Sequence, residues 1–208
     1  MLSFIFIMFK SFLTVLATSA AVCFAAVAEP SRIERATTLM PEPEPAPEVV
    51  VEEPVVEEPE ITCKGCSLAE QETLEFFYDE GVTDTHALAM IMGSIKQESR
   101  FQPSVCEGGF ITSWRGCTRG GFGLIQFTSY HRYYGLGAYA SRTGQAPEAL
   151  NTQLEYIVTE REWQSAAAIF KREGLPMGSY DYAGKIWLGY GVKGNRLFYA
   201  WQYVSKIA

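Results

Sequence analysis

Residues 84–103 read DTHALAMIMGSIKQESRFQP. Apolar side chains recur in this stretch every three or four positions, which is helical spacing, and Thr83 or Asp84 stands where an N-cap oxygen meets the first free amides. The pattern predicts a helix over Asp84 to Ser99. At about 100° per residue, Ala87, Ile91, Ser94 and Ile95 fall within about 60° of Glu98. Glu98 is therefore expected on the core side, with Lys96 pointing away. Burial disfavours the charge of a carboxylate, and the partially negative C-terminal end of its helix acts in the same direction. Glu98 is thus expected to hold a proton near neutral pH, as an acid serving a glycosidic leaving oxygen must. The plainer alternative is a solvated helix-end glutamate, or one paired with Arg100.

Helical periodicity continues on both sides, with candidate helices at 68–80, 128–139, 148–163, 165–172, 180–188 and 196–207. Alternation of period two is hard to find, so the domain, taken as 61–208, is expected to be mainly α. Pro147 suits a first helical position. Between Phe101 and Gly123 runs a long glycine-rich segment that carries two cysteines. Loops of this length in compact domains are often functional. It leads into Gly120-Gly121-Phe122-Gly123-Leu124-Ile125-Gln126-Phe127-Thr128. Its glycines let backbone approach a bulky ligand, and Gln126 can hydrogen-bond sugar hydroxyls or N-acetyl groups. A simple turn is the structural alternative.

The first sixty residues are of another kind. Ser11 to Ala28 is uncharged and ends in Ala26-Val27-Ala28, a small-residue pattern of the sort read by signal peptidase. Met8 is a plausible start, giving a short basic region before the apolar run. Residues 1–28 are read as a signal peptide, or as a membrane anchor if retained, because about 18 apolar residues just span a bilayer. The product is then exported (periplasmic or extracellular), or membrane-anchored or virion-associated. Residues 29–60 read as a disordered linker. Pro41 to Glu60 holds six prolines and eight glutamates, a charged polyproline-type spacer able to reach roughly 60 Å.

The spacer also accounts for the net charge of −7, since Ile61 onward carries 14 Lys plus Arg against 14 Asp plus Glu. A neutral domain without a basic cluster argues against nucleic acid, which requires accumulated positive charge. No cofactor and no metal is expected. Cys23 leaves with a cleaved export segment, leaving Cys63, Cys66, Cys106 and Cys117. An even number in an exported chain predicts two disulfides, with a four-thiolate zinc site as the alternative. Bridges from the Cys63/Cys66 pair to the Cys106–Cys117 loop are favoured, because a Cys63–Cys66 ring is tight. A cysteine nucleophile is disfavoured: only His86 and His131 are available as partners, in no suggestive context.

Glu98-Ser99 followed by Gly123-Leu124-Ile125-Gln126 resembles the Glu-Ser and Gly-Leu-Met-Gln motifs of lytic transglycosylases and goose-type lysozymes. With Ile91-Met92-Gly93, Glu98-Ser99-Arg100-Phe101-Gln102-Pro103, Gly123 to Thr128 and Gln153-Leu154-Glu155-Tyr156-Ile157, the chain is most similar to the phage tail lysozyme family. The similarity runs best over residues 84–163. It implies a lysozyme-like helical fold with a disulfide-stapled loop, peptidoglycan glycan strands as partner, and Glu98 as general acid. Ser99, Gly121, Gly123, Gln126 and Thr128 are the substrate-binding candidates. Thr128 occupies the place where goose-type enzymes have an aspartate, and no Asp lies between Asp84 and Asp181. An inverting hydrolase needs a second carboxylate, and Glu107 is the only acidic residue in the loop; a lytic transglycosylase needs none. Muramidase and transglycosylase chemistry both stay open, as does a catalytically silent module that binds peptidoglycan or serves in a virion. Aromatic residues are dense from Tyr130 to Tyr203 and belong mostly to the core, with one or two left to stack on sugars. The related transglycosylases place a tyrosine in their last motif, which points to Tyr190.

Overall fold

The computed structural model describes residues 61–208; the export or anchor segment and the Pro/Glu linker expected over 1–28 and 29–60 lie outside the described residues. Among the described residues seven helices follow one another: α1 Leu68–Asp79, α2 Thr85–Ser99, α3 Tyr130–Thr143, α4 Leu150–Thr159, α5 Arg161–Phe170, α6 Met177–Leu188 and α7 Arg196–Val204, with one 3-10 turn at Trp114–Gly116. Among the described residues there is no strand, only isolated antiparallel bridges. The domain is mainly α, as its periodicity requires.

Helix α2 is the axis of the fold. Every residue from Ala87 to Ile95 is buried, so the helix is enclosed on all sides rather than on one stripe. It starts on Asp84, whose Oδ1 accepts from the amides of His86 at 2.8 Å and Ala87 at 3.1 Å. The other oxygen accepts from Gly174 N at 2.7 Å, tying the segment after α5 to the same cap. Burial alone would raise the Asp84 carboxyl, but the amide donors from Gly174, Ala87 and His86 outweigh it and hold it below the usual carboxylate value. Helix α7 crosses α2 at Gly93. A Cβ there would lie 2.5 Å from Ala200 N and 2.6 Å from Arg196 O, so only glycine lets the two backbones meet.

In the same core α1, α5 and α6 meet through aromatic rings. Trp163 packs against Phe77 and Trp187 with ring centroids 4.8 and 5.2 Å apart. The helix expected over 148–163 is broken at Glu160, which is extended (ψ 143°) and separates α4 from α5. The cause is the Glu160 side chain. Its oxygens receive Arg132 Nε at 2.7 Å and Nη2 at 2.5 Å, both partners being buried. Burial works against the charge of Arg132, but the Glu160 carboxylate outweighs it and holds the guanidinium above its ordinary pKa. The helix expected over 165–172 accordingly begins early, at Arg161. Pro147 does not start a helix: α4 is capped at Ala149, and the Pro147 carbonyl instead accepts from Gln153 Nε2 at 2.8 Å.

The disulfides also correct the expectation. Cys63 pairs with Cys66 and Cys106 with Cys117, so no bridge links the N-terminal pair to the loop, and no four-thiolate site is formed. Backbone pairing explains the choice. Cys63 is bridged to Ile207 beside the chain's C-terminal end, whereas Cys106 pairs with Phe122 inside the loop.

Candidate active site

The long loop expected between Phe101 and Gly123 is ordered by its own backbone. Glu107 N donates to Gly121 O at 2.8 Å, and Gly123 N donates to Val105 O at 2.8 Å. The Cys106–Cys117 bridge closes the same loop across 11 residues of sequence separation. Gln153 then fixes the loop against the helices. Its Oε1 accepts from Leu124 N at 2.7 Å and its Nε2 donates to Pro103 O at 2.6 Å. One buried amide thereby holds the end of the Glu98 motif beside the start of the Gln126 motif.

The result is an open cavity of about 730 Å³ lined by Glu98, Ser99, Gly121, Gln126 and Thr128 together with Glu107 and the loop tip. Its size lies within the range of ligand sites. Gly123 is absent from the lining. It is buried at φ +76°, and a Cβ there would meet the Gln153 amide at 2.3 Å, so its glycine serves the Gln153 anchor. Ser99 is buried, and its hydroxyl donates back to Ile95 O at 3.4 Å. Thr128 Oγ1 donates to Gln126 O at 2.7 Å. Gln126 Nε2 donates to Gly123 O at 3.1 Å, so this amide already serves the loop. Glu107 Oε2 accepts from Gly121 N at 3.2 Å, which seats a second carboxylate in the Glu98 cavity.

Among the described residues three non-glycine residues have positive φ: Arg100 (53°), Phe101 (62°) and Gln126 (51°). All three fall in the two motif segments. Strained backbone of this kind persists where tertiary structure over-determines it, and it gathers at functional sites. Arg100 ends α2 in the left-handed region, so the chain turns sharply just past Glu98.

The Glu98 side chain is 17% exposed, and its Oε1 receives Arg196 Nη2. Arg196, itself 5% exposed, is gripped from behind. Nη1 donates to Lys193 O at 2.6 Å and Val192 O at 3.0 Å, and the guanidinium lies 4.0 Å over the Tyr190 ring. The side chain is therefore ion-paired with Arg196, and not with the Arg100 weighed from the sequence. Among the described residues Oε2 has no hydrogen-bond partner. The sequence singles out neither Arg196 nor the anchoring role of Gln153. The one hint was a basic residue opening an amphipathic helix, which is ordinary.

Tyr190 lies outside the cavity and lines a separate hollow with Asp181 and Lys193. Its hydroxyl donates to Asp181 O at 3.1 Å; burial first, and then Asp181, push it up to about 12. One ring face is taken by Arg196, so its visible work is to seat that guanidinium. Among the described residues no cluster of three or more His, Cys, Asp or Glu side chains suits a metal ion.

Residues 69–192 match the family described as phage tail lysozyme. No curated protein and no solved structure matches the chain.

Proposed function

The chain belongs to the phage tail lysozyme family, a lysozyme-like membership that makes it a peptidoglycan-directed glycosidase, and from this we propose that it cleaves the N-acetylmuramic acid to N-acetylglucosamine bond with Glu98 as the acid. The observation that carries the reading is the meeting, in one open cavity, of Glu98 with Gly121, Gln126 and Thr128 of the second motif.

In this mechanism Glu98 Oε2–H protonates the glycosidic oxygen as its bond to the anomeric carbon breaks, and the electron pair leaves with the departing hydroxyl. Water then adds to the oxocarbenium-like carbon while Glu107 removes its proton, giving a reducing end. Glu107 favours this hydrolytic route because it is the second carboxylate of the cavity. In the competing transglycosylase route the sugar's own 6-hydroxyl attacks, giving an anhydro end and leaving Glu107 without a part. Residues 1–28 are proposed to export or anchor the domain and 29–60 to hold it away from a surface. A phage or prophage origin, with assembly into a virion, is proposed from the family match.

The test is digestion of purified murein with mass spectrometry of the products. Wild-type protein is expected to release reducing ends. Glu98→Gln should abolish release while still accepting from Arg196 and folding, and Glu107→Gln should lose hydrolysis. Anhydro ends with full activity of Glu107→Gln would replace hydrolysis by transglycosylation. Full activity of Glu98→Gln, or an inactive wild-type protein that still binds murein, would overturn the catalytic reading and leave a silent binding module.

A further inference from the structure

A second hollow, of about 700 Å³, adjoins the Glu98 cavity; Thr128 lines both, and Gly120 and Gly121 are the neighbouring lining residues. Its walls are aromatic. Tyr130 and Tyr134 are one helical turn apart on α3, with ring centroids 4.4 Å apart, and are 78% and 51% exposed. Trp114 stands edge-on to Tyr134 at 6.2 Å and stacks on Tyr133 at 5.2 Å.

The inner rings are fixed. Trp114 Nε1 donates to Tyr133 O at 3.1 Å, and Tyr133 hydroxyl donates to Cys117 O at 2.9 Å and to the Trp114 carbonyl. Tyr130 and Tyr134 make no side-chain hydrogen bond among the described residues and turn their surface to solvent. Exposed large aromatics beside a cavity are informative because such surface is otherwise withdrawn from water. Arg115 and Arg119, both exposed, line the same hollow without an ion pair among the described residues. In a domain of balanced charge they form a local cationic rim.

We infer that this aromatic hollow is a second sugar subsite, binding an N-acetylhexosamine of the same glycan strand one or more residues away from the bond held at Glu98. The inference rests on the proposed glycosidase reading. The hydrocarbon faces of a pyranose stack on Tyr130 and Tyr134, as flat apolar faces do on aromatic rings. The arginines supply donors for acyl oxygens and for carboxylates of an attached peptide stem. The hollow on the other side of Thr128, lined by His131, Glu162 and Trp187, also adjoins the first cavity, but of the two only this one presents exposed tyrosine rings, which makes a sugar of the strand held at Glu98 its occupant.

The experiment measures affinity for a ladder of soluble glycan fragments, each one disaccharide longer than the last, by calorimetry on Glu98→Gln protein so that nothing is cut. Affinity should step up once the fragment reaches the hollow. In Tyr130→Ala/Tyr134→Ala that step should shrink roughly tenfold, while Tyr130→Phe/Tyr134→Phe should keep it. Circular dichroism melting checks that the variants fold. A step of full size in the alanine variant, no step in the parent, or an equal loss at every length would overturn the subsite. Failure of the wild-type protein to cleave murein would instead count against the glycosidase reading, since the binding ladder is read without turnover.

Discussion

Gly93→Ala tests the helix crossing on which the site depends. The added Cβ would lie 2.5 Å from Ala200 N, 2.6 Å from Arg196 O and 2.9 Å from Ala200 Cα. These are backbone atoms, so no rotamer change relieves the contact and α7 must move as a unit. Overpacking of this kind costs about 1–3 kcal/mol, against a gain of up to about 1 kcal/mol from the better helix propensity of alanine. A net loss of about 1–2 kcal/mol lowers the melting temperature by roughly 2–8 °C in a domain of this size. Activity should fall further than stability, because α7 carries Arg196 away from Glu98. Circular dichroism melting paired with turbidity loss of murein reads both. Gly178→Ala on α6 is the control: its Cβ meets nothing within 4 Å, so stability should stay level or rise by up to about 1 kcal/mol. The reasoning is refuted if Gly93→Ala melts at or above the wild-type temperature with unchanged activity.

The Cys106→Ser/Cys117→Ser pair should cost about 3 kcal/mol, the loop entropy released across a separation of 11 residues, and urea unfolding measures it; peptide mapping without reductant should find Cys63 linked to Cys66 and never to Cys106. Glu160→Gln leaves the buried Arg132 without its countercharge and should destabilise by about 3–5 kcal/mol in the same assay. Asp84 shares the acid-side dependence with Glu70 and Glu162, whose pKa values are also lowered. Asp84 has a lowered folded pKa, so the unfolded chain binds the proton first on acidification; the stability it contributes is full above the ordinary carboxylate value of about 4 and is lost as pH falls through the folded value. Unfolding of wild type and Asp84→Asn from pH 6 downward should therefore converge, and parallel curves would show that the cap contributes nothing of this kind.

Much of the fold was legible because it is written in local signals. The apolar period of residues 84–99 and the cap at Asp84 define α2 to within one residue, and the spacing of the Glu98 and Gln126 motifs anticipates one cavity. What was illegible depends on partners distant in sequence. Nothing near Glu160 says that its carboxylate leaves the helix for Arg132, 28 residues back, so a continuous helix is the natural local reading. The cysteine pairing misled for a related reason. Ring tightness speaks against Cys63–Cys66 in isolation, but the backbone bridge from Cys63 to Ile207 determines which sulfurs stand near one another.

Arg196 shows why site residues are harder to read than core residues. It lies 98 positions from Glu98, and three separate local facts bring it there. Gly93 admits α7 to the surface of α2. Gln97 Oε1 accepts from Asn195 N at 2.8 Å, which pins the start of α7 to the last turn of α2. Tyr190 covers the guanidinium from the far side. Each reads from sequence as a small residue in a helix, a polar helix-end side chain or a core aromatic, and only their superposition creates the ion pair. The same superposition divides the work of the carboxyl group. Oε1 is held in place by Arg196, so the Glu98 side chain is oriented from behind, and under the proposed mechanism the proton is delivered from the other oxygen. A lysine at 196 would keep the charge but lose the fork that grips two carbonyls and a carboxylate together, which makes the guanidinium shape, beyond its charge, the feature that the fold is arranged to hold.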